Sequence, residues 1–112
     1  MTDKQILELA AKAAGIKLVF DPHGLPRNCT DMEPAMNIFA AKLWNPLEDD
    51  GDALRLAVKL GIQIVHYSVT SKGLDRVNAG RNGSPILYGD DPYAATRRAI
   101  TLAAAEIGKA MP

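Results

Sequence analysis

Residues 62–70, IQIVHYSVT, are the segment that constrains the fold of this chain most. Their branched side chains and their length are typical of a β-strand. Ile62 and Ile64 would lie on one face of that strand, and Val65 and Val69 on the other. Because both faces carry apolar side chains, the strand is predicted to lie inside a sheet that is covered on both sides.

Helices are predicted where capping residues bound an apolar helical repeat. Thr2 and Gln5 have the spacing of a capping box, and Asp91 followed by Pro92 is a favoured helix start. Glycine follows the first two helices, where it accommodates a left-handed backbone. The predicted helices span residues 2–15, 49–61 and 91–111. A further helix is predicted over 34–44, because its apolar residues repeat at helical spacing.

Two shorter strands complete the prediction, IKLVF at 16–20 and PILYG at 85–89. Residues 25–33 and 71–84 are predicted to be loops, the second with a chain reversal at Asn82 and Gly83. A right-handed crossover would make the first two strands parallel, and the reversal would add an antiparallel third. The sequence therefore predicts a single domain over 1–112 of the α/β (α+β) class. Its expected architecture is a three-layer α/β/α sandwich with a small mixed sheet of about three strands.

Composition limits the class of partner. Thirteen basic and thirteen acidic residues cancel, which disfavours nucleic acid as the main partner because phosphate binding needs a basic surface. No segment resembles a signal peptide, and no apolar run approaches the roughly 18 residues that span a bilayer. Cys29 is the single cysteine and cannot form an internal disulfide. We therefore expect a cytoplasmic protein without a membrane partner.

The segment WNPLEDDGDALRLAVKLG, residues 44–61, gathers four acidic side chains at a predicted helix start. Asp49 is expected to be the N-cap, with Asp50 and Asp52 in the first turn beside the positive end of the helix dipole. Asp52 is also three residues before Arg55, a favourable spacing for an ion pair. A divalent-cation site and an acidic partner surface are the alternatives. The first lacks the alternating spacing of a calcium loop, so no metal, cofactor or catalytic residue is predicted.

Trp44 and Asn45 precede this helix, and arginines stand in the last helix. Trp44 is expected to anchor a loop onto the core, or to serve as a contact for a ligand or partner. Arg97 and Arg98, with Tyr93, could hold an anion, since the guanidinium fork suits phosphate. Ion pairs with the acidic helix starts are the alternative. The candidate binding residues are Trp44, Asn45, Asp49, Asp50, Asp52, Tyr93, Arg97 and Arg98.

Two long segments, LWNPLEDDGDALRLAVKLGI and DPYAATRRAITLAAAEIGKA, resemble the phage ABA-sandwich domain family of small phage and prophage proteins. The matching residues lie at 44–47, 49–56 and 91–109, and the N-terminal MTDKQILELAAKAAGI also fits. Residues 21–43 do not. The resemblance implies a three-layer fold and a phage or prophage origin. It implies no activity, because the family has none established, and it transfers no catalytic residue.

The leading functional hypothesis is a non-catalytic accessory protein that acts in the bacterial host cell by binding a host or phage macromolecule, with a protein as the expected partner. Its expected surface combines the corner from Trp44 to Asp52 with Arg97 and Arg98, so that alanine at Trp44 and Arg97 should leave the fold intact. A small anionic-ligand binder, such as a nucleotide-binding protein, is the alternative. A divalent-metal hydrolase is a third hypothesis, and a homodimer is also expected.

Overall fold

The computed structural model describes residues 1–33, 36–69, 71–81 and 83–112 of the chain. These residues form three α-helices, six short strands and one 3-10 helix. In chain order these are α1 (Asp3–Ala14), β1 (Leu18–Phe20), β2 (Pro26–Asn28), the 3-10 helix (Ile38–Ala40), β3 (Lys42–Leu43), α2 (Asp50–Leu60), β4 (Ile64–Tyr67), β5 (Arg76–Ala79), β6 (Ile86–Leu87) and α3 (Pro92–Ala110). This mixture of helices and small sheets confirms the predicted fold class.

The capping residues found in the sequence set the ends of the helices. Thr2 and Gln5 form the predicted capping box of α1, and Gly15 ends that helix with a left-handed backbone, φ 71°. Asp91 caps α3 by accepting hydrogen bonds from the amides of Tyr93 and Ala94. These contacts use residues no more than four positions apart, which explains why the helix bounds could be predicted from local sequence.

The strands form two separate three-stranded sheets, and every pairing is antiparallel. The first sheet has the order β1-β2-β3 and the second has the order β4-β5-β6. The predicted parallel pair is therefore wrong, because β1 and β4 lie in different sheets. β1 turns back at once through the turn at 21–24 and pairs with β2, with Val19 opposite Arg27.

Two segments predicted to be loops contain strands. Residues 25–33 include β2, and residues 71–84 include β5, which separates β4 from β6. Val77 and Ala79 of β5 are 0% and 2% exposed. Burial of these side chains therefore stabilises a strand here, although the flanking residues favour turns. The predicted reversal involves Asn82, which lies outside the described residues.

The second sheet is covered on one face only, which corrects the predicted two-sided burial of 62–70. Ile64 and Ile86 pack against the core together with Val77. On the opposite face Val65 is 44% exposed and Leu87 is 63% exposed. Neighbouring residues of a strand point to opposite faces of the sheet. Apolar side chains on the second face can stay exposed to solvent, so their presence did not show that this face is covered.

The helix predicted over 34–44 is wrong for its described part. Residues 38–40 form the 3-10 helix, residues 42 and 43 form β3, and Pro34 and Ala35 lie outside the described residues. Leu43 enters the ladder opposite Arg27, and Phe39 is 46% exposed. Pairing with β2 therefore outweighs the helical spacing of the apolar side chains.

The core is built around a close pair of helices. α1 and α3 meet through small side chains, among them Ala10, Ala11 and Ala104, each no more than 1% exposed. Gly108 of α3 lies directly against the backbone of Leu9 in α1. The core cluster also takes in α2, Trp44 and residues of both sheets. In the described part of the chain no helix is long and apolar enough to cross a membrane.

Candidate functional site

The acidic residues after Trp44 initiate α2, as the sequence predicts. A side-chain oxygen of Asp49 accepts a hydrogen bond from the amide of Asp52 at 2.8 Å, which is the N-cap contact. One carboxylate oxygen of Asp52 accepts from the amide of Asn45 at 3.0 Å, and the other accepts from Arg55 at 2.7 Å. Asp52 is 8% exposed, so these hydrogen bonds compensate the desolvation of its carboxylate.

Trp44 and Asn45 are also structural residues. Trp44 is 6% exposed within the core, and its amide extends the β2–β3 pairing by donating to the carbonyl of Pro26 at 3.0 Å. The side chain of Asn45 accepts from the amide of Leu47 at 3.0 Å, and its carbonyl accepts from the amide of Asp49 at 2.9 Å. The two residues therefore fix the path from β3 into α2.

Arg97 joins α3 to the start of α2. Its Nε donates to the carbonyl of Leu47 at 2.9 Å and its Nη1 to Asp50 at 2.7 Å, and its side chain is 16% exposed. Arg98 instead pairs with Asp3 of α1 at 3.3 Å. Both arginines therefore form ion pairs within the chain, which was the alternative to anion binding. Arg98, however, pairs with Asp3 of α1 and not with an acidic residue at the start of α2 or α3.

Most of the predicted site residues lie close together in the structure, but their role there is to connect α3 and the segment after β3 to the start of α2. Asn45, Asp49, Asp50, Asp52 and Arg97 are linked by hydrogen bonds within the chain. Tyr93 stands apart at the start of α3 and is 70% exposed. Within residues 1–33, 36–69, 71–81 and 83–112, no three His, Cys, Asp or Glu side chains are placed to hold a metal ion together.

A different surface was missed by the sequence reasoning. It is the outer side of the first sheet, called the Phe39 face, and it consists of Val19, His23, Arg27, Phe39 and Leu43. The strand register places Arg27 between Val19 and Leu43. The Arg27 guanidinium lies 5.5 Å from the centre of the Phe39 ring, and the His23 ring lies 5.7 Å from it on centroids. Three chain segments therefore meet on one side of this sheet.

A buried ion pair holds the Phe39 face in place. The side chain of Asp21 has no exposed surface and accepts from Nε of Arg27 at 2.9 Å. Its other oxygen accepts from the amides of His23 at 2.8 Å and Leu25 at 3.0 Å. Arg27 also donates to the carbonyl of Ala41 at 3.0 Å, which ties β2 to the end of the 3-10 helix. Asp21 and Arg27 together fix the hairpin and the segment that carries Phe39.

Comparison of this chain with protein-family models, with curated proteins and with solved structures finds no match. The resemblance to the phage ABA-sandwich family consequently stays a prediction from the quoted segments.

The pKa of Asp21 reflects its position in the turn. Burial by itself would raise the pKa of this carboxyl group, but hydrogen bonds from the Leu25 amide, Arg27 and the His23 amide outweigh it. The pKa of Asp21 therefore lies below its ordinary value of 3.8. The carboxylate form stabilises the fold fully at pH values above the pKa that Asp21 has in the unfolded chain. This contribution is lost as the pH falls through the lower pKa of the folded state.

Asp21→Asn is expected to lower the free energy of unfolding at neutral pH, because the neutral amide cannot replace the charged partner of Arg27. The difference from the wild type should shrink as pH falls below about 4, near the pKa of an unfolded aspartate. Urea unfolding of both proteins at about five pH values between pH 3 and pH 7 measures the difference in their free energies of unfolding. Asp31→Asn removes an exposed carboxylate and controls for net charge. A constant difference across the range would contradict the linkage.

The second feature outside the predicted site is a groove of about 870 Å³, called the α3 groove. It runs between the C-terminal half of α3, the end of α2 and the second sheet. Its apolar lining includes Ile62, Ile86, Leu102, Ala103 and Ile107. The lining also contains small residues, among them Ala79, Ala99 and Ala110, which leave space between helix and sheet unfilled.

Proposed function

We propose that this chain is a non-catalytic binding module for a protein of a phage or of its bacterial host, and that the Phe39 face is its contact surface. The observation that carries the proposal is the exposure of two large apolar side chains, one in the 3-10 helix and one in β3, beside a buried ion pair. Phe39 is 46% exposed and Leu43 is 52% exposed, beside the Asp21–Arg27 pair.

The energetic argument rests on burial and rigidity. Full burial of a phenylalanine or leucine side chain contributes about 1.5–3 kcal/mol. Because Phe39 and Leu43 are about half exposed, covering the rest of each contributes roughly half of that, enough for the centre of a small contact. Phe39 contacts Arg27 and His23, and Leu43 is held by its strand pairing. Side chains that are already ordered lose less conformational entropy on binding. These two residues therefore suit the role of binding anchors.

The charges of the face support a protein partner with apolar side chains. Arg27 is already neutralised by Asp21 at 2.9 Å and is 15% exposed, so it offers little to a phosphate or another anionic ligand. Arg97 is likewise paired with Asp50, and the N-terminus of α3 is capped by Asp91. The anionic-ligand hypothesis is thus not favoured by these contacts. The partner's matching surface is expected to be apolar and uncharged at its centre.

Affinity capture from infected or lysogenic bacteria tests the proposal. Phe39→Ala combined with Leu43→Ala should reduce the amount of a specific captured protein by at least about tenfold, which corresponds to about 1.4 kcal/mol. The matched control replaces Leu54 and Val58 with alanine, because these side chains of α2 are 60% and 73% exposed. That variant should capture as the wild type does.

Binding should then be repeated with the purified partner and the same three proteins. Equal binding by the wild type and by the Phe39 and Leu43 double variant would reject the Phe39 face as the contact surface. Loss of binding only in the control variant would move the contact to α2. Circular dichroism of each variant verifies that the fold is unchanged, which the exposure of all four replaced side chains leads us to expect.

A further inference from the structure

The α3 groove carries two opposite charges at its rim. Arg81 and Glu106 both line it, and both are exposed. Within the described residues neither side chain takes part in an ion pair. By contrast, each of the other five arginines pairs with a carboxylate: Arg27, Arg55, Arg76, Arg97 and Arg98. An unpaired cation and an unpaired anion therefore line the same apolar groove.

We propose that the α3 groove is a two-fold interface with a second copy of this chain, in which Arg81 of each protomer pairs with Glu106 of its partner. In a two-fold interface the same surface meets itself, so a contact between two different residues occurs twice. One groove with one cation and one anion at its rim has the charge pattern that such a contact requires. The two copies satisfy all four charges.

The lining of the groove suits a close contact between protomers. Ala99, Ala103 and Ala110 are on the side of α3 that faces the groove, with Leu102 and Ile107 beside them. Alanine lets a neighbouring backbone approach, while the larger side chains supply apolar area. The chain has no net charge, so two copies approach without overall repulsion. A small apolar molecule would leave both rim charges unpaired.

Charge reversal gives a direct test by sedimentation analysis over a range of protein concentrations. The wild type should form a dimer. Arg81→Glu should weaken dimerisation at least about tenfold, because the introduced carboxylate would face the partner's Glu106. Glu106→Arg should weaken it as much, because two guanidinium groups would then meet. An equimolar mixture of the two variants should form a heterodimer, in which one protomer carries both anions and the other carries both cations.

Matched controls reverse exposed charges outside the groove. Glu8→Arg in α1 and Lys17→Glu just before β1 change the net charge by the same amounts, and both variants should dimerise as the wild type does. A monomeric wild type at every concentration would overturn the interface. Single variants that dimerise normally, or a mixture that stays monomeric, would overturn the pairing of Arg81 with Glu106. The proposal is independent of the Phe39 face, and capture by that face neither supports nor weakens it.

Discussion

Replacement of Trp44 by alanine is expected to lower the free energy of unfolding by about 3–5 kcal/mol, the usual cost of removing a large aromatic side chain from a core. Trp44 is 6% exposed and packs in the cluster that joins all three helices to both sheets. Small domains have only about 5–15 kcal/mol of stability in total. The loss should therefore be a large part of the stability of this chain, and it is measured by urea unfolding followed by circular dichroism.

Leu43→Ala is the matched control for Trp44. Leu43 is the preceding residue, but its side chain is 52% exposed on the Phe39 face, so its removal should change stability by no more than about 0.5 kcal/mol. The fluorescence of Trp44, the single tryptophan, remains available in this variant to report on the core. Equal stability of the Trp44 variant and the wild type would show that Trp44 is a surface contact instead.

Gly108→Ala is expected to destabilise the chain by about 1–3 kcal/mol or more, which is the range for overpacking a core. A methyl group at this position would overlap the carbonyl oxygen of Leu9 and lie 2.8 Å from its carbonyl carbon. These are backbone atoms of α1, so they cannot move aside as a side chain can. The helices α1 and α3 would have to separate, and thermal unfolding should show a lower midpoint temperature.

Gly51→Ala is the matched control, since Gly51 is also within a helix. Its added methyl group would lie 3.1 Å from the guanidinium of Arg55 and 3.2 Å from Oδ2 of Asp49, which are side-chain atoms of residues 72% and 60% exposed that can yield by a few tenths of an ångström. Alanine is favoured over glycine in helices by about 1 kcal/mol, so this variant should be as stable as the wild type or more stable. Similar losses at both positions would contradict a specific close approach at Gly108.

Helix positions were predictable because their determinants are local. The side chains of Thr2, Asp49 and Asp91 each bind amides two or three residues ahead, and Gly15 and Gly61 each end a helix with a left-handed backbone. The same locality made the acidic segment after Trp44 interpretable as a helix start. Its contacts with Asn45 and Arg55 lie within seven residues of Asp52.

Sheet organisation was less predictable because pairing joins distant residues. β2 and β3 have three and two residues, which is too short to display an alternating pattern. β5 lies within residues 71–84, whose glycine, asparagine and serine residues favour turns. The two sheets are therefore selected by packing against the helices, which no single short segment encodes.

Part of the candidate site lies together in the structure, where its side chains bond to one another, whereas Tyr93 is exposed at the start of α3 and Arg98 pairs with Asp3. Alanine at Trp44 and Arg97 was expected to leave the fold intact, yet Trp44 is in the core and Arg97 bridges α3 to the start of α2. The Phe39 face was missed because residues 34–44, which carry Phe39 and Leu43, were predicted to be a helix, and because Arg27 comes from a segment predicted to be a loop. The pairing of β2 with β3 and the hydrogen bond from Arg27 to the carbonyl of Ala41 bring them together.

The central claim is that partner binding uses the Phe39 face and that the corner from Trp44 to Asp52 is structural. Hydrogen–deuterium exchange of the chain alone and with its captured partner tests this most directly. We predict slower exchange at residues 38–43 in the complex, with residues 49–52 and 97–98 unchanged. Slower exchange at 49–52 and 97–98, with 38–43 unchanged, would contradict the claim and restore the corner as the binding surface.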